Sequence, residues 1–370
     1  MIVIAPDSYK GTMSAVEVCE IIKKEFLSVI PELDVRCVPI ADGGEGTVDA
    51  FLFNGGEKIT CEVTGPLNEK VEAFYGILPD STAVIEMAAA SGLPLVGDKK
   101  NPLLTTTYGT GELIKNALDK GCKKILIGIG GSATNDGGIG CAGALGVKFL
   151  DENGNGVSLN GSGLSEICDI DLSGLDKRLK ETEIKVLCDV ISPLYGKTGA
   201  TYVFSAQKGA DEKMMIELDN GLKNLADVAV EKLLLDNAFK KGAGAAGGLG
   251  YGLMTFIGAE LVNGAQAVLE ANGFAQIAEK SQLVITGEGC MDNQSILGKA
   301  PAQVAKMSGD TPVIAIVGIS KVTDMQSSNI RKIYVTDHDE RTFEQVLLEC
   351  RDDLRATAHK VAVDFKNNLI

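Results

Sequence analysis

Residues 2–40, IVIAPDSYKGTMSAVEVCEIIKKEFLSVIPELDVRCVPI, decide the fold class. Ile2-Val3-Ile4-Ala5 is a short, wholly apolar run, as expected of a strand buried on both faces. Ser14-Ala-Val-Glu17 has the spacing of a capping box, in which the Ser14 hydroxyl accepts from the third amide of a helix and Glu17 reaches back to the cap. A helix is therefore predicted to about Ser28, with Val18, Ile21, Ile22 and Phe26 on one face and Pro31 as its stop. Val35–Ile40 reads as a second strand. A second helix, from Gly44 or Glu45 to Phe53, is closed by Gly55-Gly56. Strand–helix–strand–helix predicts a parallel, doubly wound sheet.

Working outward, the middle of the chain is less regular. Val71–Tyr75, Ala83–Glu86, Lys123–Ile129 and Glu183–Cys188 read as strands. Tyr108–Leu118, Gly140–Leu145, Glu212–Leu235 and Ala259–Ala271 read as helices. The doubly wound pattern returns with strands at Leu283–Thr286, Val313–Val317 and Lys332–Val335, and helices at Ala300–Met307 and Thr342–Asn367. Two α/β domains are thus predicted. One is built from both ends of the chain, residues 1–75 plus 280–370, and a smaller mixed α/β domain, residues 76–279, is inserted in it.

Composition narrows the function. The 370 residues are 45% hydrophobic and 23% charged, so a packed core is expected. Gly, at 44 residues, is in excess, which calls for tight turns or close backbone approaches. Lys+Arg is 35 against Asp+Glu 50, a net charge of −15 that argues against nucleic acid or an anionic membrane surface as partner. There are nine Cys without a C-x-x-C, and two His, His338 and His359, both far in sequence from every Gly-rich loop and expected to be surface or structural. Thiolate or imidazole metal sites, dithiol redox chemistry and His-dependent hydrolysis are therefore disfavoured. The N-terminus shows no secretory leader, and no run of about 18 apolar residues occurs. A reduced, cytoplasmic protein is expected.

Five polar, Gly-rich stretches carry the candidate chemistry, most of them at the carboxyl end of a predicted strand, where open α/β sheets bind ligands. Asp7-Ser8-Tyr9-Lys10 offers a base or metal ligand in Asp7 and a cation in Lys10. Asp42-Gly43-Gly44-Glu45 pairs amides for an anion with acids that suit Mg²⁺. Gly128-Ile-Gly130-Gly131-Ser132-Ala-Thr-Asn135-Asp136 matches a dinucleotide fingerprint, with Asp151 about twenty residues on. However, Gly137-Gly138 intervenes before any helix, and a polar ligand cradle fits better. Gly242 to Gly250 reads equally as a phosphate loop or as small-residue packing. Thr286-Gly287-Glu288-Gly289-Cys290-Met291-Asp292 again clusters acids and glycines. Asp189 and Lys208 complete the charged candidates. Gly196-Lys197-Thr198 is not a P-loop, because position 191 is Ile rather than Gly. Glycine cradles, several Asp, a few Lys and no imidazole cluster suit phosphoryl transfer, which needs positioning, carboxylate-held Mg²⁺ and an Asp to take the hydroxyl proton.

Taken together, residues 4–11, 41–47, 128–138, 242–250 and 286–289, with 84–93 and 105–111, resemble the bacterial glycerate kinases, a family that mostly makes 2-phosphoglycerate. The resemblance runs from residue 2 to about 320. It implies a flavodoxin/Rossmann-like domain plus a second α/β domain, ATP and Mg²⁺ as cofactors, D-glycerate as small-molecule substrate, and a monomer or homodimer. It places Asp7, Lys10, Asp189 and Asp292 in catalysis, the last two also as metal ligands. Substrate or phosphate contacts fall to Ser8, Asp42, Gly43, Gly44, Glu45, Gly130, Gly131, Ser132, Asn135, Asp136, Lys208, Gly287, Glu288 and Gly289. Two departures stand out. The family usually has Arg where Cys290 stands, with Lys299 a candidate to compensate, and Asp-Asn where Ile191-Ser192 stand. The alternatives are a 3-phosphoglycerate-forming or other hydroxy-acid kinase, an inactive ligand-binding relative, and, from the Gly128–Ala133 match, an NAD(P)-dependent oxidoreductase.

Overall fold

The computed structural model describes residues 1–293, 295, 298–323, 329–336 and 341–370. In chain order its strands are Ile2–Pro6 (β1), Val35–Cys37 (β2), Glu57–Thr64 (β3), Lys70–Ile77 (β4), Thr82–Glu86 (β5), Lys124–Gly128 (β6), Lys148–Leu150 (β7), Asp169–Asp171 (β8), Glu183–Leu187 (β9), Glu260–Val262 (β10), Leu283–Met291 (β11), Val313–Ser320 (β12) and Ile330–Val335 (β13). The chain divides into two compact units. One holds residues 1–42, 49–54 and 265–370, and the other holds 43–48 and 55–264.

The first unit has an all-parallel sheet in the order β13-β12-β11-β1-β2. Every residue of β1 is buried, as its unbroken apolar run requires of a strand covered on both faces. The helix Ala15–Val29 presents Val18, Cys19, Ile22 and Phe26 to a core shared with Ile2, Ile4, Leu283, Ile285 and Ile314. The helix Phe343–Lys366 adds Leu354, Ala358 and Val361 to the same core. Ser14 caps the first helix, accepting from the Glu17 amide at 3.2 Å, but Glu17 does not close the predicted capping box. Its carboxylate pairs instead with Arg351, Nε to Oε1 at 2.7 Å. Placed beside β1 are β2 on one side and β11 on the other, the flavodoxin-like order 2-1-3-4-5. The chain therefore reverses direction across the sheet between β1 and β11, where such sheets bind ligands beyond the carboxyl ends of the strands.

The second unit contains a mixed sheet in the order β10-β9-β6-β5-β4-β3. Pairs from β10 to β5 are parallel, and β5-β4 and β4-β3 are antiparallel. Tyr75, Ile85, Ile125, Ile127, Leu222 and Tyr251 are buried in its core. Two expectations change here. The divisions fall after residues 54 and 264 rather than near 75 and 280, with 43–48 also in this unit, which is the larger of the two. The displaced boundary follows from β3 and β4, a hairpin whose second strand pairs with β5 and so extends this sheet. The continuous helix expected over Ala259–Ala271 is instead β10 followed by a helix from Gly264 to Ala271, because Glu260–Val262 complete the ladder of β9. A third point concerns Gly242–Gly250, read equally as a phosphate loop or as small-residue packing, where close packing is evident. It runs into Ala245–Gly252, a helical segment interrupted at Ala246, Gly247 and Gly248 by left-handed backbone, and a Cβ at Gly247 would lie 2.0 Å from the Thr134 carbonyl oxygen. The glycines are there for close packing. No helix among the described residues is long and apolar enough to cross a membrane.

Candidate active site

In the first unit, Asp7 directly follows β1, Asp42 lies five residues beyond the end of β2, and Glu288 lies within β11, paired with Val317. The chain beyond β2 stays beside β1, with the Val38 amide donating to Ile4 O and the Ile40 amide to Pro6 O at 2.8 and 2.9 Å, which carries Asp42 to the same end of the sheet. Asp7 is only 7% exposed. Its amide donates to Gly287 O at 2.8 Å, and its Oδ1 accepts from the Ser8 amide at 2.7 Å. Burial, and then the negative charge of Asp42, push the Asp7 carboxyl up to about 7, against the pull of the Ser8 amide and the Lys10 ammonium. The Lys10 ammonium donates to Asp42 Oδ2 at 2.7 Å and remains largely open to solvent. Burial also raises the Glu288 carboxyl, opposed by Ser295 and Lys299. Its Oε1 is buried without a hydrogen-bond partner among the described residues.

Asp292, just beyond β11, accepts from the Ser295 amide and hydroxyl at 2.9 and 3.1 Å, with Lys299 Nζ at 3.7 Å. Gly287 and Gly289 are strand residues rather than a turn. A Cβ at Gly287 would stand 2.0 Å from Ile316 O, so the residue is small because β12 passes close by. Cys290 is exposed.

In the second unit the Gly43-Gly44 turn is seated directly on the ends of β6 and β9. The Gly130 amide donates to Gly43 O at 2.9 Å. A Cβ at Gly43 would meet Leu187 O at 2.5 Å, one at Gly128 would meet Gly43 O at 2.5 Å, and one at Gly130 would meet Gly44 Cα at 2.6 Å. Backbone packed against backbone explains why three glycines recur here, and Gly43, at φ +90, also needs the left-handed region. Glu45 is exposed, whereas the buried carboxylate of Glu86, at the end of β5, accepts from the Val48 amide at 2.7 Å.

Asp136 is fully buried and serves the loop itself. Oδ2 accepts from the Thr107 amide and hydroxyl, both at 2.8 Å, and from the Gly140 amide at 3.3 Å, while Oδ1 accepts from the Gly138 amide at 3.0 Å. Burial still holds its carboxyl above the usual value. Asn135 donates to Thr201 Oγ1 at 3.1 Å. Lys208 is 2% exposed, and its ammonium donates to Ser132 Oγ at 2.8 Å and to Thr134 O at 2.7 Å. Burial lowers its amine to about 7, against the charge of Asp136. Asp189 is exposed, with Oδ1 accepting from Asn263 Nδ2 and the Gly264 amide.

A profile of the Glycerate kinase family matches residues 2–366. The chain belongs to the glycerate kinase family. It is 52% identical over 322 residues to the glycerate kinase of Bacillus subtilis, covering 86% of this chain and 84% of that one. It is 52% identical, with the same coverage, to the glycerate 2-kinase of Escherichia coli K12. A crystal structure from Salmonella typhimurium LT2, of a protein assigned as glycerate kinase 2, superposes with a TM-score of 0.89 at 44% identity, covering 100% of this chain and 98% of that one. Membership of this family goes against the oxidoreductase alternative drawn from the Gly128–Ala133 match.

Sequence reasoning missed two contributors. Glu86 and Thr107 both fall in segments that resemble the family, 84–93 and 105–111, but neither is given a role there, and Glu86 otherwise reads only as the last residue of a strand. Thr107 stands 29 residues before the carboxylate it serves, and nothing local marks it. His359 is exposed, with Nδ1 3.3 Å from Glu25 Oε2, as a surface histidine should be, and His338 lies outside the described residues.

Proposed function

We propose that this member of the glycerate kinase family transfers the γ-phosphoryl group of ATP to a hydroxyl of D-glycerate, giving 2-phosphoglycerate, with Asp7 as the base. The observation that supports this most is Asp7 itself. It is a buried carboxyl at the end of β1, next to the sheet's point of reversal, and it titrates at about 7 rather than near 4. A base is most effective when its pKa lies near the operating pH. Ionised Asp7 accepts the proton of the substrate hydroxyl, whose oxygen then forms the bond to phosphorus as the bond to the leaving nucleotide breaks. The Ser8 amide fixes the carboxylate by holding Oδ1, leaving Oδ2 to receive that proton. Lys10, steered by Asp42, supplies a mobile cation for phosphate oxygens.

The donors available fit Mg²⁺ shared with a nucleotide. They are carboxylate oxygens, as this hard cation prefers, and Glu288 Oε1 is buried without a hydrogen-bond donor. When bound, Mg²⁺ would supply positive charge against the phosphates of the nucleotide. Glu288 is the favoured ligand. Asp292 and Asp189, the ligands expected from sequence, each have Oδ1 engaged by local donors.

The test is to incubate the purified protein with D-glycerate, ATP and Mg²⁺ and to follow ADP release with the product coupled through enolase. ADP release with immediate enolase coupling is expected. Coupling only after phosphoglycerate mutase is added would make the product 3-phosphoglycerate. No ADP release would refute the kinase reading.

A further inference from the structure

The Lys208 amine is sealed inside the second unit. Both of its hydrogen bonds go to neutral oxygens, Ser132 Oγ and Thr134 O. Among the described residues no carboxylate pairs with it. Asp136, the acid whose charge acts on it, has both oxygens engaged by Thr107, Gly138 and Gly140. A charged amine buried without a carboxylate partner is costly, which is why burial lowers it to about 7, and an anionic ligand would supply the missing partner and favour the protonated form. Further polar atoms of the same two segments, Thr134 Oγ1 and Ser205 Oγ, are buried and likewise without partners among the described residues.

Burial is graded. Lys208 is 2% exposed and Thr134 0%, whereas Ser132, at 8%, is the least enclosed of the three. Ser132 is also held still. It lies on a short antiparallel bridge to Gly92, flanked by the Leu93 amide donating to Gly131 O and the Ala133 amide donating to Ser91 O. Its oxygen accepts from the ammonium, which leaves its proton to donate, and nothing among the described residues accepts it. A hydroxyl that accepts from a cation is a stronger donor, because hydrogen bonds in a chain polarise one another at low dielectric.

We propose that the Ser132 hydroxyl, held and polarised by the buried Lys208 ammonium, recognises the carboxylate of the hydroxy-acid substrate, with Lys208 as the positioning residue behind it. A single donor backed by a single charge matches a monoanionic carboxylate better than a phosphate, which carries more charge and takes several donors. The arrangement would distinguish glycerate from glycerol, which has the same hydroxyls and no charge. This inference rests on the kinase reading for the identity of the substrate.

The experiment uses the full-length protein and two readouts. Binding of D-glycerate, glycerol and inorganic phosphate, each without nucleotide, is measured by calorimetry on the wild type, Ser132→Ala, Lys208→Met and Lys208→Gln, alongside steady-state kinetics. Glycerate should bind the wild type and glycerol should not. Ser132→Ala and Lys208→Met should weaken glycerate about ten- to hundredfold, the range of one hydrogen bond to a charged group, raising its KM far more than they lower kcat and leaving the KM for ATP in place. Lys208→Gln keeps a donor but not the charge, and it should remain clearly weaker than wild type. An unchanged glycerate affinity in Ser132→Ala overturns the proposal, as does stronger binding of phosphate than of glycerate, or a parallel loss for ATP and glycerate. Should the Lys208 variants not fold, Ser132→Ala decides alone. Absence of wild-type turnover would refute the kinase reading, while glycerate binding lost in Ser132→Ala would still uphold the carboxylate site.

Discussion

Replacing Asp7 by Asn should cost at least about a hundredfold in turnover and stabilise the protein at the same time. Folding raises this carboxyl from its ordinary value of 3.8 to about 7. The folded state therefore binds the proton more tightly than the unfolded state, and each pH unit between those values costs stability as pH rises. At pH 8 the native carboxylate is ionised against its environment, and the penalty is about 4 kcal/mol, from about three units at 1.36 kcal/mol each. It falls below about 2 kcal/mol at pH 5 and vanishes below the unfolded pKa. Asn is isosteric, its Oδ1 can keep the Ser8 amide, and it carries no charge to bury. Some of the gain is lost to relaxation, so a rise in melting temperature of at least about 2 °C at pH 8 is expected, shrinking at pH 5. Over the same range kcat/KM of the wild type should fall about tenfold per pH unit below 7, because only ionised Asp7 accepts a proton. The assay is scanning fluorimetry of both proteins from pH 5 to 8, with ADP release measured in parallel and at least about a hundredfold loss expected in the variant. A variant less stable than wild type at pH 8, a stability difference that does not shrink on acidification, or turnover within tenfold of wild type would each refute the reasoning.

Three further outcomes follow from the geometry. Gly128→Ala puts a methyl group 2.5 Å from Gly43 O, backbone that cannot give way locally, and should cost about 2–3 kcal/mol in urea unfolding. Asp136→Asn keeps the shape but cannot accept all four donors; a loss of about 2–4 kcal/mol is expected, with faster amide exchange at Thr107, Gly138 and Gly140. Lys10→Ala removes an exposed ion pair and should change stability by less than about 1 kcal/mol, while ADP release falls at least tenfold, as kinetics and fluorimetry on one preparation would show.

The first unit was legible because its signals are local. An unbroken apolar run, a capped amphipathic helix and glycine punctuation each name their element without reference to distant residues, and β1, β11 and β12 lie where those signals put them. The second unit was read less well because its signals are tertiary. β3 alternates regularly, with Ile59, Cys61 and Val63 between polar residues, but half of it is exposed and only Val63 is buried, and its ladder comes from its partner β4. Glu260–Val262 has helix-compatible residues and pairs with β9 nevertheless. At the site, the types were legible but their uses were not. Asp7 and Asp136 are both Asp in a polar, Gly-rich stretch after a strand. Only the positions of Thr107, Gly138 and Gly140 turn the second into a support for its own loop, while the first keeps an oxygen for chemistry.

The pairing of β1 with β11, Ile2 opposite Leu283, sets an order on synthesis. The first strand made must wait for a neighbour encoded about 280 residues later, and at 5–20 residues per second that interval is roughly 14–60 s. Meanwhile β1 can pair with β2 alone, leaving one apolar strand edge without its ladder. Residues 55–264, by contrast, are all available before β11 is translated. The nascent chain therefore holds a nearly complete second unit beside an N-terminal strand still open to wrong partners, and a chaperone that covers residues 1–40 should raise the folded yield more than one acting on the finished chain.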